Sequence, residues 1–573
     1  MAKKEMYNPI AFLDEFKGKD FKGEWPTVVE MFDITVKRFK DRPCFRQFVP
    51  NDLQFNYSQV REKVIEVANN ILTYAEPKDK IAVCGKNSVE WAITYLAVLY
   101  AGCIVVPLDA NLKDNETDIL IKFAGVKALY ADAGKIDELG KDPEINLVKK
   151  YSLEESDKER YVLNNGIKGD LNPKAYKPVC EDLAAILFTS GTTGTPKGVM
   201  LTHKNLVSDC YLAQSHMQLY PSDVFYAILP IHHAYTMLAV FIEAISVGAS
   251  VVFGKRLIVS QLLKELKVGK VTMFLGVPML FNKLLAGLLS GLKKKSIILY
   301  GIIRFLMGVS GLIKKITKKN VGHKMFGFLL KQISLDTNRI CICGGGPLPD
   351  STFKMFNELG IDFVQGYGLT ETSPITHLNP TYAYIESSVG KIIPTLEQKI
   401  VSPDKDGNGI IYIKGSVVMK GYYNNQEATD EVLDADGWLN TGDVGHVDSN
   451  GYLYLTGRAK NIIVTEGGKN VFPEEIEDHF QLYNEIDQIC IVPFIKDSAK
   501  KSEGIKALIF PNQDWLKEVG DSAAEKRINQ IISEVNKDSQ PYKRIEKILI
   551  TKEALPTTST KKIKRFEVMK LYK

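Results

Sequence analysis

Acidic residues are missing from one long stretch of this 573-residue sequence. Between Leu266 and Leu335 there are thirteen lysines and arginines and no aspartate or glutamate. The formal net charge of the whole chain is only +5, so taking away those thirteen leaves −8 on the rest. So small a net charge gives no global sign of a nucleic-acid partner. Cysteine is scarce: the eight, at 44, 84, 103, 180, 210, 341, 343 and 490, are scattered. The one close pair, Cys341 and Cys343, lacks both the two-residue gap and the second pair of a zinc site. The start, Met1-Ala2-Lys3-Lys4-Glu5, leads into polar sequence and not into the apolar core of a secretory signal. Reduced thiols and a cytoplasmic location are therefore expected, with Cys84 in IAVCG as a small core residue. Internal repeats and long low-complexity linkers are also absent.

What is present has the balance of a soluble globular protein, with 45% hydrophobic and 25% charged residues. The length calls for two or more cores. Apolar strand-like runs such as Lys80–Gly85, Cys103–Pro107 and Val251–Gly254 alternate with helical stretches, among them NSVEWAITYLAVLYAG and Ser260–Leu266. That alternation predicts an α/β architecture with largely parallel sheets. From Gly409–Lys414 onward the pattern changes to short strands separated by Asp-Gly and Asn-Gly turns, which predicts a β-rich subdomain. After Arg458 strands and helices alternate again, placing a boundary near 458–462 and dividing the chain into residues 1–459 and 460–573.

The run Leu187-Phe188-Thr189-Ser190-Gly191-Thr192-Thr193-Gly194-Thr195-Pro196-Lys197-Gly198 follows an apolar strand. Its glycines let backbone approach an anion, its hydroxyls and amides can donate to phosphate oxygens, and Lys197 adds positive charge. A Walker loop would need Gly before that lysine and Ser or Thr after it; here Pro196 and Gly198 stand there. A kinase or NTPase cleaving between β- and γ-phosphates is disfavoured accordingly.

TSGTTGTPKGVMLTH resembles the phosphate loop of the adenylate-forming superfamily, which includes acyl-CoA synthetases, peptide-synthetase adenylation domains and luciferases. Further matching motifs follow in the family's order: LPIHH (229–233), GGGPL (344–348), QGYGLTETSP (365–374), VGKIIP (389–394), DGWLNTGD (436–443), GYLYLTGRAKNII (451–463), GGKNVFPEEIE (467–477) and LPTTSTKKIKR (555–565). The resemblance implies a large N-terminal domain of stacked mixed and parallel sheets flanked by helices, the β-rich subdomain, and a small mobile α+β C-terminal domain. It implies attack of a carboxylate on the α-phosphate of ATP with loss of pyrophosphate, then transfer of the acyl group to a thiol.

Residue by residue, the phosphates would be held by Thr189, Ser190, Gly191, Thr192, Thr193, Gly194 and Lys197. Gly344, Gly345, Gly346, Tyr367 and Gly368 would surround adenine, and Thr370 would touch the α-phosphate. Glu371, with Thr189 as a second candidate, would bind Mg2+. Asp443 would accept from both ribose hydroxyls, with Arg458 on the ribose and phosphate side. Lys460 aligns with the hinge about which the C-terminal domain turns between half-reactions. Lys562 aligns with the adenylation lysine; Lys561 stands where the family has glycine, so the register between these two lysines is left open. Gly468 would line the passage for pantetheine, and His233 the acyl end of the site. A non-catalytic relative would be expected to have lost Glu371, Asp443, Arg458 or Lys562, and all four are present.

The acid is indicated by the basic stretch 283–332, an insertion that long-chain members of the family resemble this chain in having. Within it Ile297–Ile313 is apolar apart from Arg304 and has lysine clusters on either side. As a helix it would be about 25 Å long, short of a bilayer core, and its central arginine opposes spanning. It is expected to lie on an anionic membrane surface, making the protein peripheral on a membrane's inner face; the alternative is a helical hairpin packed on the protein with its lysines solvated. The expected activity is therefore a long-chain fatty-acid–CoA ligase using a fatty acid, ATP and CoA. An acyl-carrier protein, whose phosphopantetheine ends in the same thiol, is the alternative acceptor.

Overall fold

The computed structural model describes residues 10–572 apart from 174, 190–195, 256–257, 466–468, 498–501 and 559–561. A six-stranded sheet runs in the order Lys149–Ser152, Val126–Ala131, Lys80–Cys84, Ile104–Leu108, Leu183–Thr189, Lys197–Thr202. Its first five strands are parallel and the last pairs antiparallel with Leu183–Thr189. The four inner strands are largely apolar and buried, as strands covered on both faces must be, while the edge strand Lys149–Ser152 is more polar and partly exposed. The helices that follow Lys80–Cys84 and Lys197–Thr202 start at side-chain caps. Ser88 Oγ accepts from Trp91 N at 3.1 Å, and Thr202 and Asn205 form a reciprocal capping box.

A thirteen-stranded sheet forms the second layer. One half is parallel and includes Val224–Ala227, Met273–Gly276, Ile340–Cys343 and Asp362–Gly368. The other half is antiparallel and contains the Asp-Gly and Asn-Gly hairpins, including Gly409–Lys414, Leu439–Val447 and Tyr452–Arg458. The two halves are one sheet. Asp362–Gly368 pairs parallel with Ile340–Cys343 on one edge and antiparallel with Ile375–Leu378 on the other. The β-rich portion is thus a continuation of the parallel sheet, and Tyr367 and Gly368 lie on the strand where the pairing changes. Between the layers sits the main core, where Trp91 stacks on Tyr95 at 5.3 Å and the Phe241 ring meets both edge-on.

The basic stretch forms three helices, Pro278–Lys295, Ile297–Thr317 and Gly322–Leu330. The second is 21 residues long and, by length and composition, sufficient to cross a membrane. After the turn Ala459–Asn461, a three-stranded sheet (Ile486–Asp497, Ser502–Pro511, Lys547–Ile550) packs on helices Pro473–Asp478 and Asp521–Asp538. Ile491, Ile505, Ile528 and Ile531 give this C-terminal α+β unit its own core. Cys341 and Cys343 lie buried on strand Ile340–Cys343, and Cys84 is a buried core residue.

Candidate active site

The site lies between the switch strand of the large sheet and the C-terminal unit. Leu183–Thr189 and Lys197–Thr202 form an antiparallel pair whose last register is Thr189 with Lys197, so the hydroxyl-rich segment joins two strands of one hairpin. Ser190, Gly191, Thr192, Thr193 and Gly194 lie outside the described residues, as does Gly468. The outer strand of this hairpin is stitched to the distant segment 420–423 by Met200 N to Gly421 O (3.0 Å), Lys420 N to Met200 O (3.0 Å) and Tyr423 N to Gly198 O (2.7 Å). This brings the Tyr422 ring under Lys197, whose Nζ stands 4.9 Å from the ring centroid. The Tyr422 hydroxyl donates to Glu371 Oε1 at 2.8 Å. Lys197, Tyr422 and Glu371 therefore form one cluster. Tyr422 was not among the residues picked out from the sequence.

Gly368 must be glycine, because a Cβ there would collide with the Pro374 carbonyl. Thr370, Glu371 and Thr372 form a single helical turn directly after it. The Tyr367 hydroxyl donates to Asp443 Oδ2 at 2.7 Å. Arg458 Nε lies 3.0 Å from Asp443 Oδ1, the two residues being direct partners across adjacent strands. Both Asp443 oxygens thus have a donor fixing them, while each keeps a lone pair for a further hydroxyl. The hydroxyl bond to Asp443 fixes the ring of Tyr367 against strand Leu439–Val447. Gly344, Gly345 and Gly346 follow strand Ile340–Cys343 directly. Beside them is Tyr235, also missed from sequence, whose hydroxyl donates to Ile342 O at 3.1 Å.

His233 stands at the start of a short helix with its ring 4.3 Å from that of His232. Burial, then the neighbouring His232, then Lys562 lower its pKa to about 3, so the imidazole is neutral at pH 7. His232 Nε2 lies 3.5 Å from Asp109 Oδ2. Asp109, His232 and His233 present donor atoms within 4.8 Å of one another, but two imidazoles suit a softer ion than magnesium. The hard oxygens of Glu371 and Thr189 fit magnesium, which binds few protein ligands and keeps water or phosphate for the rest.

Lys562 comes from the C-terminal unit and stands within electrostatic reach of Arg458 and Asp443. Its backbone N–H donates to Thr558 Oγ1 (3.1 Å) and its carbonyl accepts from Thr558 N (2.8 Å), closing a tight loop. Its side chain is exposed to solvent, yet protein atoms crowd around it and thin its hydration. That desolvation, then the Arg458 guanidinium, lowers its pKa from the ordinary lysine value, with Asp443 acting in the opposite direction. Lys562 is thus close enough to sense Asp443, Arg458 and His233, which sequence reasoning had gathered only as separate motifs. Lys561 lies outside the described residues. Lys460 is exposed in the turn Ala459–Asn461. Arg565, three residues beyond Lys562, is braced by Glu477 through two hydrogen bonds of 2.8 and 2.9 Å and also donates to the Ile491 carbonyl.

A layered platform that gathers Lys197, Glu371, Tyr367 and Asp443, with one lysine supplied by a small C-terminal unit, is the framework of an AMP-forming, acyl-activating ligase. The chain belongs to the AMP-binding enzyme family: the family's profile matches residues 32–423, and that of the AMP-binding enzyme C-terminal domain matches residues 460–573. Among relatives, it is 28% identical to the long-chain-fatty-acid–CoA ligase ACSBG2 of Rattus norvegicus, over 79% of this chain and 72% of that one. It is 24% identical to the chloroplastic long-chain-fatty-acid–[acyl-carrier-protein] ligase AEE15 of Arabidopsis thaliana, over 89% of this chain and 79% of that one. In fold it is similar to the anthranilate CoA ligase AuaEII, solved with anthranoyl-AMP, at a TM-score of 0.77 and 20% identity over 97% of this chain and 99% of that one.

Proposed function

We propose that the protein converts a long-chain fatty acid and ATP into acyl-AMP and pyrophosphate, then passes the acyl group to the thiol of CoA. A carboxylate oxygen of the acid bonds to the α-phosphorus as the bond to the β-phosphate oxygen breaks. In the second step the thiol sulfur, having given up its proton, attacks the acyl carbon and AMP leaves. The observation that carries this reading is that Lys562, from the C-terminal unit, stands within electrostatic reach of the Asp443–Arg458 pair and of His233. Two anions must meet in the first step, and a lysine reaching over the sugar end of the nucleotide site neutralises both. His233, being neutral, offers a polar edge without adding charge. Tyr367 and Gly344–Gly346 hold adenine, Asp443 and Arg458 the ribose, and Thr189, Lys197 and Thr370 the phosphates, with residues 190–194 completing the loop. Glu371 and Thr189 would hold Mg2+, which when bound shields phosphate charge. Lys460 is the hinge, and Gly468 opens the path of the pantetheine arm.

The long-chain assignment rests on the rat relative and on the helical insertion. The Arabidopsis relative supports a second acceptor, an acyl-carrier protein, through the same adenylation step. The test is incubation with α-labelled ATP, magnesium and saturated acids of increasing length, with and without CoA. AMP release is expected to require a long acid and CoA, and to fall at least about a hundredfold in Lys562→Ala. Acyl-AMP that ignores CoA and discharges onto acyl-carrier protein selects the second reading. Release of ADP would refute both.

A further inference from the structure

Helix Ile297–Thr317 has two faces that ask for burial, and the protein covers only one. Ile303, Met307, Ser310 and Lys314 recur at helical spacing and are buried against the body. Lys314 Nζ donates to Asp362 Oδ1 (2.6 Å) and Asn357 Oδ1 (2.8 Å), and Arg304 lies 3.7 Å from Glu358. The packing is close at Gly311, where a side chain would run into Glu358. On the opposite face Ile298, Ile302, Phe305, Leu312 and Ile316 form a second stripe, exposed by 73, 52, 72, 59 and 72%. Scattered apolar residues on a surface mean nothing, but five large ones along one helix face mark an interaction site.

The surroundings of the stripe indicate what covers it. Lys293, Lys294 and Lys295 end the helix before it, Lys318 and Lys319 follow it, and Lys324 lies on the helix after that. All six are exposed, and among the described residues none is paired with an acid. An apolar stripe between cationic ends matches acyl chains beneath anionic headgroups. A second copy of the chain fits less well, because a two-fold contact would set these lysines against themselves. Spanning is opposed by the ties of Arg304 and Lys314, which would have to break.

We propose that this helix lies flat on an anionic lipid surface, its outer stripe among the acyl chains and its flanking lysines on the phosphates. The test is co-sedimentation of the full chain with phosphatidylcholine vesicles, with and without phosphatidylglycerol. Binding is expected with phosphatidylglycerol, and to be at least about tenfold weaker without it or in high salt. The variant Ile298→Glu/Phe305→Glu/Ile316→Glu is expected to lose binding at least about tenfold, while ATP–pyrophosphate exchange with a soluble acid stays unchanged. Lys293→Gln/Lys294→Gln/Lys295→Gln should weaken binding with the stripe intact. A chain that stays in the supernatant with phosphatidylglycerol vesicles, or a triple Glu variant that binds them as well as the parent, overturns the proposal. So does a dimer that Phe305→Glu dissolves, without vesicle binding, which gives the face to a second copy.

Discussion

At the scale of single residues, Tyr422 shows how a side chain outside the recognisable motifs enters the site. Its hydroxyl orients Glu371 and its ring carries Lys197, so it couples a carboxylate proposed to bind magnesium to a cation proposed to bind phosphate. Hydrogen bonds to charged groups contribute about 1.5–3 kcal/mol. Tyr422→Phe should therefore lower kcat/KM for ATP by roughly tenfold to a hundredfold. Because the lost bond is to Glu371, the magnesium concentration giving half-maximal rate should rise. Titrating magnesium at fixed ATP checks this, and an unchanged midpoint would show that Glu371 needs no such partner. The motif residues were legible because each stands in a short, crowded pattern. Tyr422 was not, since its partner lies 51 residues away and only the sheet brings them together.

At the scale of elements, the loop bearing Lys562 is held by a brace. Arg565 grips Glu477 with both terminal nitrogens, Glu477 also accepts from Ile491 N at 2.6 Å, and Glu474 reaches 3.6 Å from Arg565. Glu474 Oε1 in turn accepts from Asn461 beside the proposed hinge, at 2.5 Å. The lysine loop, helix Pro473–Asp478 and the hinge turn are consequently one mechanical piece. Removing one partner of a buried ion pair costs about 3–5 kcal/mol, and lysine cannot reproduce the two-pronged grip. Glu477→Gln and Arg565→Lys should each lower the melting temperature of the C-terminal unit and depress adenylation, with substrate affinities little changed. Scanning calorimetry beside ATP–pyrophosphate exchange reads both, and full exchange activity in a destabilised variant would separate the brace from the lysine. Element types were legible from periodicity, including the strand Gly409–Lys414 to the residue. The union of the parallel and β-rich halves was not, because a strand's two edges leave no distinct mark on its sequence.

At the scale of the whole molecule, buried histidines set how the protein responds to acid. His203 and His377 are fully buried, each with its pKa lowered to about 4, and His216 and His232 are lowered as well, burial being the first cause in all four. His203 Nδ1 accepts from Val28 N, and His377 Nε2 faces Gln398 Oε1, so both are built in as neutral rings. A group held below its unfolded pKa of about 6.5 takes up protons preferentially in the unfolded state. Its contribution is intact above about pH 6.5 and is lost as pH falls toward 4. Glu243 acts in the reverse sense. Burial raises its pKa to about 8, so the folded state loses stability as pH rises from the ordinary carboxylate range through that value. Denaturant midpoints measured across pH should fall on the acid side of about 6.5, and His377→Gln should flatten that limb. An acid limb unchanged in that variant would mean other groups control it.

The scarce and buried thiols bear on selectivity in the proposed second half-reaction. An acyl-adenylate is an indiscriminate electrophile, and any thiolate within reach would take the acyl group. Seven of the chain's eight cysteines are buried and the eighth, Cys180, is half-buried with its Sγ on the Trp25 carbonyl at 2.7 Å. Burial holds the pKa of Cys180 up to about 11 and those of Cys84, Cys103 and Cys490 up to about 12. Even Cys343, next to the glycine triplet, is held as a thiol. A protein so poor in competing nucleophiles can hold a reactive mixed anhydride without acylating itself, and leaves the sulfur of the incoming acceptor without a rival.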